Sequence, residues 1–398
     1  MFKAVSAAAL AAVFLPAVAL AQTPDERGSR MIFETRLRGE TVDQQGFADQ
    51  ARALTVRTRL GWRSPTISAF QFLVEGEGVA VLDDRYSAPV SPVPGRPAVA
   101  DGETLELNRA QLRWTGLSDT EVTVGRQRLT VGNGRFVGNS GWRQNEQTFD
   151  AFRVATTAVS PVTLAWTYAD RVQRPLGHEH PQGVWRGDIH LLQIETDTPL
   201  GRLSGFGLQI DLPDAAAQSS TTVGARLAGS RALTDELSLT WAGEYAVQHD
   251  NGANPADYAL DFQAAALGVQ TPRWSASLGY ERLGGDGTAG FQTPLGSGHG
   301  VLGWSDVITS TPAFGVRDLF VRGQIGVPAL GRTVRLTAEA HAFHDADGDI
   351  ALGRELDLSA LLPIDAHWAV ELKGAHFDGD HPSYADADKG WLILEYRY

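Results

Sequence analysis

The stretch Arg52-Ala53-Leu54-Thr55-Val56-Arg57-Thr58-Arg59-Leu60-Gly61-Trp62 decides the fold. Leu54, Val56, Leu60 and Trp62 are apolar, and Thr55, Arg57, Arg59 and Gly61 fill the positions between. Side chains of a strand alternate between faces, so this period of two places one face in an apolar medium and the other in water. The stretch exceeds the usual globular strand of about 5 to 6 residues and suits a tilted membrane strand. The same grammar recurs at Leu237, Leu239, Trp241, Tyr245 and Val247, at Leu319, Val321, Ile325 and Val327, and at Leu356, Leu358 and Leu362. Helical spacing is nowhere sustained, and no stretch after the leader approaches the roughly 18 apolar residues of a spanning helix.

Working outward, eighteen such segments can be drawn: 31–39, 51–62, 66–82, 103–114, 120–131, 147–158, 162–172, 185–198, 201–212, 220–231, 236–248, 257–270, 273–284, 317–327, 332–344, 352–362, 366–377 and 389–398. Their connections alternate. Long polar ones run over 83–102, 132–146, 173–184, 249–256, 285–316, 345–351 and 378–388. Short ones include Arg63-Ser64-Pro65, Pro199-Leu200 and Thr271-Pro272. Long outer loops and short periplasmic turns are the habit of an up-and-down barrel in a bacterial outer membrane. The expectation is an all-β, transmembrane, antiparallel barrel of eighteen strands, with sixteen as the alternative, its termini on the periplasmic side.

Composition agrees and excludes other classes. The chain has 398 residues, 43% of them hydrophobic, with 43 glycines, 10 tryptophans, 2 methionines and no cysteine. Without cysteine there is no thiol catalysis, disulfide or cysteine-bound zinc. A net charge of -13 argues against a nucleic-acid partner. Met1-Phe2-Lys3, the apolar run from Ala4 to Leu20 and the small residues around Ala21 read as a cleaved signal peptide over 1–21. That leaves one barrel domain over 22–398, in the outer membrane of a Gram-negative bacterium, with lipid as its surroundings. At the other end Leu392, Leu394, Tyr396 and Tyr398 alternate to the last residue. A terminal strand of this kind resembles the signal read by the barrel assembly machinery.

If the apolar face meets lipid, the polar face lines the lumen, and parity makes that lumen lopsided. Arg36, Arg38, Arg57, Arg59, Arg109, Arg113, Arg126, Arg128 and Arg153 come from the first part of the chain. Asp211, Glu244, Asp261, Glu281, Glu339, Glu355, Asp357 and Glu371 come mostly from the last half. Guanidinium donates in a fork matched to carboxylate, sulfate or phosphate, so the arginine arc suits an anionic solute. The alternative is structural: the same arginines pair with Glu34, Glu75, Glu106 and Asp150 and stiffen the wall.

One stretch carries a resemblance. Gly125-Arg126-Gln127-Arg128-Leu129, Gly132, Arg135 and Gly138 lead into Trp142-Arg143-Gln144-Asn145-Glu146-Gln147-Thr148-Phe149-Asp150-Ala151-Phe152-Arg153. This resembles the alginate-export family of outer-membrane proteins, which implies an eighteen-stranded barrel and a channel for an anionic saccharide or other small anion. The motif loop, dense in Arg135, Trp142, Arg143 and Asn145, is expected to fold inward and narrow the lumen as a selectivity element. Packing as a plug with Trp142 and Phe149 as its small core is the other possibility.

Passive passage without catalysis, cofactor or metal is therefore the expected function. The competing classes are a membrane-embedded enzyme and a structural or adhesive barrel closed by loops 83–102 and 285–316. His178-Glu179-His180, His341, His344 and the Asp345, Asp347, Asp349 set are the weak metal candidates; the last lacks the glycine and glutamate placement of a calcium loop.

Overall fold

The computed structural model describes residues 30–398; the expected signal peptide lies outside them. Eighteen antiparallel strands form one closed sheet. In chain order they are β1 (Arg30–Gln44), β2 (Ala51–Arg63), β3 (Phe70–Arg85), β4 (Thr104–Leu117), β5 (Thr120–Gln127), β6 (Thr148–Val159), β7 (Val162–Gln173), β8 (Val184–Thr198) and β9 (Gly201–Asp211). They continue as β10 (Ser220–Ala232), β11 (Ser238–Asp250), β12 (Ala259–Gln270), β13 (Trp274–Leu283), β14 (Val316–Ala329), β15 (Arg332–His344), β16 (Ala351–Pro363), β17 (Trp368–Gly379) and β18 (Ala387–Arg397). Each strand pairs with the next, and β18 returns to β1 from Glu34↔Arg397 to Gln44↔Ala387. Closure leaves no unpaired edge, which hydrocarbon would not tolerate.

All eighteen expected segments are strands, with differences confined to their ends. The segment expected over 120–131 stops at Gln127. Gly125, just before it, holds φ +111, and a Cβ there would run into the backbone carbonyl of Ala110. Leu129 and Val131, read from sequence as strand residues, instead turn into the barrel and are buried. The expected start at 66 moves to Phe70, because Ile67 and Phe70 close a tight turn through Ser68 and Ala69, both at positive φ.

The outer face is apolar, with Leu60, Leu278, Leu372 and Leu392 all more than half exposed. At the end carrying the termini and short turns, aromatic rings gather: Trp368 with Tyr396 at 4.9 Å, Phe33 with Tyr396 at 5.8 Å and Phe70 with Trp114 at 6.3 Å. Such a girdle marks a membrane interface. No helix among the described residues is long and apolar enough to cross a membrane; the strands do the crossing.

Inside, the two halves differ. Toward the periplasm the inward side chains are partly exposed, whereas at the long-loop end they are mostly buried. The buried core lies there, inside the barrel, and joins Phe136 and Val137 of one loop and Phe291, Leu295, Leu302 and Ile308 of another to wall residues Phe149, Ile189, Leu191, Phe206, Leu208, Ile210, Leu260 and Phe262.

This inward core corrects several faces. Phe149 and Ala151, Leu208 and Ile210, and Leu260 and Phe262 point inward to meet the loops. Their neighbours Asp150, Asp211 and Asp261, assigned to the lumen from sequence, therefore face outward. Arg126 goes with Asp150, its register partner, on the same side as the exposed Val124 and Phe152. Its guanidinium also reaches the Leu107 carbonyl at 3.0 Å, beside the β3–β4 bulge.

Candidate functional site

The 128–147 loop leaves β5 and crosses the lumen instead of rising to the medium. At its near end Phe136 packs on Phe206, Phe262 and Phe291 with ring centroids 4.6, 5.2 and 6.1 Å away. It is joined there by the 284–315 loop. Gly138 N–H donates to the Leu295 carbonyl, Ser297 N–H donates to the Gly134 carbonyl, and the Gln147 amide donates to Leu295 at 2.8 Å. Val137 and Leu295 form a parallel bridge. The two loops thus make one body, apolar where it meets β6–β13.

On the opposite wall the same body is held by charge. Arg36 donates to the Gly141 and Trp142 carbonyls at 3.1 and 3.2 Å and pairs with Glu395 at 3.0 Å. Arg38 donates to the Trp142 carbonyl at 2.8 Å and pairs with Glu40 and Asp101. The Gln144 amide donates to Thr55 Oγ1 at 2.8 Å. Arg59 joins Glu77, Glu34 and the loop's Glu146. Arg128 reaches Glu146 at 2.5 Å and Glu75 at 3.5 Å, and Asn108 donates to both. Burial alone would raise the Glu146 carboxyl, but Arg128 and Arg59 outweigh it and hold Glu146 well below the usual carboxylate range. Removing one member of such a buried pair costs about 3 to 5 kcal/mol, because the other charge is stranded.

The remaining expected site residues fall into place around this body. Arg57 pairs with Glu395 and Glu34, Arg109 with Glu75 at 2.6 Å, Arg113 with Glu121 at 2.6 Å, and Arg135 with Glu281 at 2.6 Å. Asn145 is buried and donates to Glu106 at 3.4 Å. Arg126 and Asp150 form their pair at 2.6 Å on the outer face. Arg153 differs. It faces inward from β6 between Thr123 and Thr167, is partly exposed, and makes no ion pair among the described residues.

Sequence reasoning named Arg38 but missed the other partners of Trp142. Its indole stacks on the His299 ring at 4.0 Å and 2°, with Arg38 4.4 Å and Lys373 4.2 Å from its centroid. Lys373 also lies 3.7 Å from the Trp304 ring and donates to His299 Nε2 at 2.7 Å. His299 Nδ1–H donates to Asp306 at 3.1 Å, and Asp306 pairs with Arg143 at 3.0 Å. Only the Nδ1–H tautomer satisfies both neighbours. Burial, and after it the Lys373 ammonium, pushes the His299 imidazole down to about 3. Burial opposes ionisation of Asp306, but His299 and Arg143 more than offset it and hold the carboxyl far below its usual range. Glu355 completes the seat by accepting the Trp304 and Ser305 N–H groups, in a cradle kept open by Gly303 at φ +75. Trp142 is therefore no part of the Phe149 core. It latches the loop body to β17.

Below that body the lumen is wider on one side. The inward positions of β10–β13 carry Ala228, Ser230, Thr240, Ala242, Ala264, Ala266, Gly268, Ser275, Ser277 and Gly279. Among them the Arg226–Glu244 pair at 3.3 Å and the nearby Arg322–Glu339 pair at 2.6 Å supply charge that cancels locally. As for the weak metal candidates, His178 bonds Glu106, His341 bonds Asp318 at 2.8 Å, and Asp345 caps the N–H groups of Gly348 and Ile350.

Comparison with known proteins agrees with this architecture. OccK9 (OpdG) of Pseudomonas aeruginosa superposes with a TM-score of 0.73 at 17% identity, over 93% of this chain and 98% of that one. OccAB4 of Acinetobacter baumannii gives 0.72 at 12% identity, over 94% and 99%. OpdK of Pseudomonas aeruginosa, solved with vanillate, gives 0.69 at 15% identity, over 92% and 98%. At such identities the likeness is one of fold. No curated protein sequence matches the chain. The family model described as alginate export matches residues 27–288, which include the whole 128–147 loop and every arginine anchored to it. The protein is a porin-like barrel of the Gram-negative outer membrane, and it belongs to the alginate-export family.

Proposed function

We propose that the protein is a passive channel for a carboxylate-bearing solute, which passes the two-loop body and is drawn by Arg153. Arg153 carries the reading. Most expected lumen arginines are neutralised by a carboxylate, whereas this guanidinium faces the lumen with its donors free of an ion pair. A fork of donors bound to one carboxylate and then released passes an anion on without trapping it. The family description names alginate, a polymer with a carboxylate on each sugar, and the OpdK structure holds vanillate, a small aromatic carboxylate. Both fit the chemistry proposed for Arg153.

The test is reversal potential in planar bilayers under a salt gradient. Arg153→Glu is expected to move selectivity toward cations and Arg153→Lys to keep the wild-type sign. Equal potentials for all three proteins would remove Arg153 from the selectivity filter. If purified protein gives no current steps at all, the barrel is closed and the adhesive or structural reading takes over.

A further inference from the structure

We propose that the outer face of β7 and β8, at the long-loop end, binds the phosphate of a glycolipid in the outer leaflet. Arg171 and Arg186 are register partners across these strands, and both are exposed. A bulge in the pairing with β6 makes Asp170 an extra residue of β7, so that Asp170 and Arg171 are both exposed between the buried Ala169 and Val172. Like charges directly opposed across two strands repel. The nearby carboxylates do little to relieve this. Asp170 lies 3.9 Å from Arg171, Asp150 opposite Arg171 on β6 is paired with Arg126 at 2.6 Å, Asp188 accepts the Tyr168 hydroxyl at 2.6 Å, and Asp214 accepts the Arg186 backbone N–H at 3.0 Å. Among the described residues no carboxylate is within ion-pair range of the Arg186 guanidinium. A phosphate between two guanidinium forks satisfies both of them and removes the repulsion.

The column of side chains beneath the arginines identifies the ligand as a lipid. Directly below them the ring of Trp166 stacks near His190 at 6.1 Å, and Tyr168 lies 5.1 Å from the same ring. Leu192, level with Trp166, and Ile194 below it point into the membrane, about half exposed. From the membrane outward the order is apolar, aromatic, cationic. That is the order of acyl chain, sugar ring and phosphate in a phosphorylated glycolipid, and aromatic rings at interface level suit the sugar.

Native mass spectrometry and fluorescence binding with the full barrel in detergent test this, using diphosphoryl lipid A as the probe and its phosphate-free analogue as the comparison. Wild type is expected to retain the phosphorylated form and to release the analogue. The double variant Arg171→Ser/Arg186→Ser is expected to weaken binding by about tenfold or more, since each lost contact is a charge-assisted one. Arg354→Ser, an exposed arginine on β16, is the control and is expected to bind as wild type; heat-modifiable gel mobility verifies that each barrel is folded. Equal affinity in the double variant, or no preference for the phosphorylated lipid, overturns the proposal. So does displacement by millimolar inorganic phosphate with the analogue still bound, which would make the pair a free-anion site.

Discussion

At residue scale, His299 shows how this lumen employs a buried ionisable group. His299 is kept neutral so that it can bridge Lys373 and Asp306 while stacking on Trp142. Its folded value is depressed, so the stabilisation it gives the latch is complete above the ordinary 6.5 and is lost as pH falls from there toward about 3. Trp391 packs edge-on against Trp142 at 5.7 Å, and tryptophan emission from the Trp142, Trp304 and Trp391 cluster should therefore change on acidification across that window in wild type. In His299→Gln, which cannot take up the proton, the component should be missing. Identical titrations would mean that the imidazole does not control the latch. Of the cage partners of Trp142, only Arg38 was legible in sequence. His299, Trp304 and Lys373 come from distant segments, and the signal that could have pointed to them was the apolar content of the 284–315 loop, with Phe291, Leu295, Leu302 and Trp304 in an otherwise polar run.

At the scale of elements, strands were readable and loops were not, for one reason. Period two persists wherever one face meets lipid, so all eighteen strands show themselves. A loop that folds into the lumen has no period, and it makes the inside of the facing wall apolar. The rule that apolar means outward then inverts locally, which is why Asp150, Asp211 and Asp261 were assigned to the wrong face, each flanked by residues that pack on the loops. Phe136 is the centre of that contact. Phe136→Ala should loosen the 128–147 loop by about 3 to 5 kcal/mol, read as a loss of hydrogen-exchange protection confined to this loop and 284–315 while β1–β18 stay protected. Unchanged protection would place the anchoring in the charged contacts instead. The terminal strand makes a different prediction. Tyr398 N–H donates to the Phe33 carbonyl at 2.9 Å, and Arg30 donates to the Tyr398 carbonyl at 3.2 Å, two exposed bonds at the seam of the barrel. If the assembly machinery reads this end, deleting Tyr398 should cut outer-membrane levels in cells several-fold yet barely alter the melting temperature of barrel refolded in detergent. Parallel losses in both would make it a plain stability effect.

For the whole molecule, the net charge of -13 conceals an arrangement in which most inward arginines meet carboxylates. These pairs are mutual supports for a body wedged between an apolar wall and a charged one. A body anchored on both sides narrows the long-loop half of the lumen and leaves the periplasmic half open. Single-channel conductance in planar bilayers, comparing wild type with a variant in which residues 133–146 are replaced by a short glycine-serine link, tests that arrangement most directly. A constricting body predicts discrete steps in wild type and clearly larger, less ion-selective steps in the variant. Equal conductance in the two would contradict it.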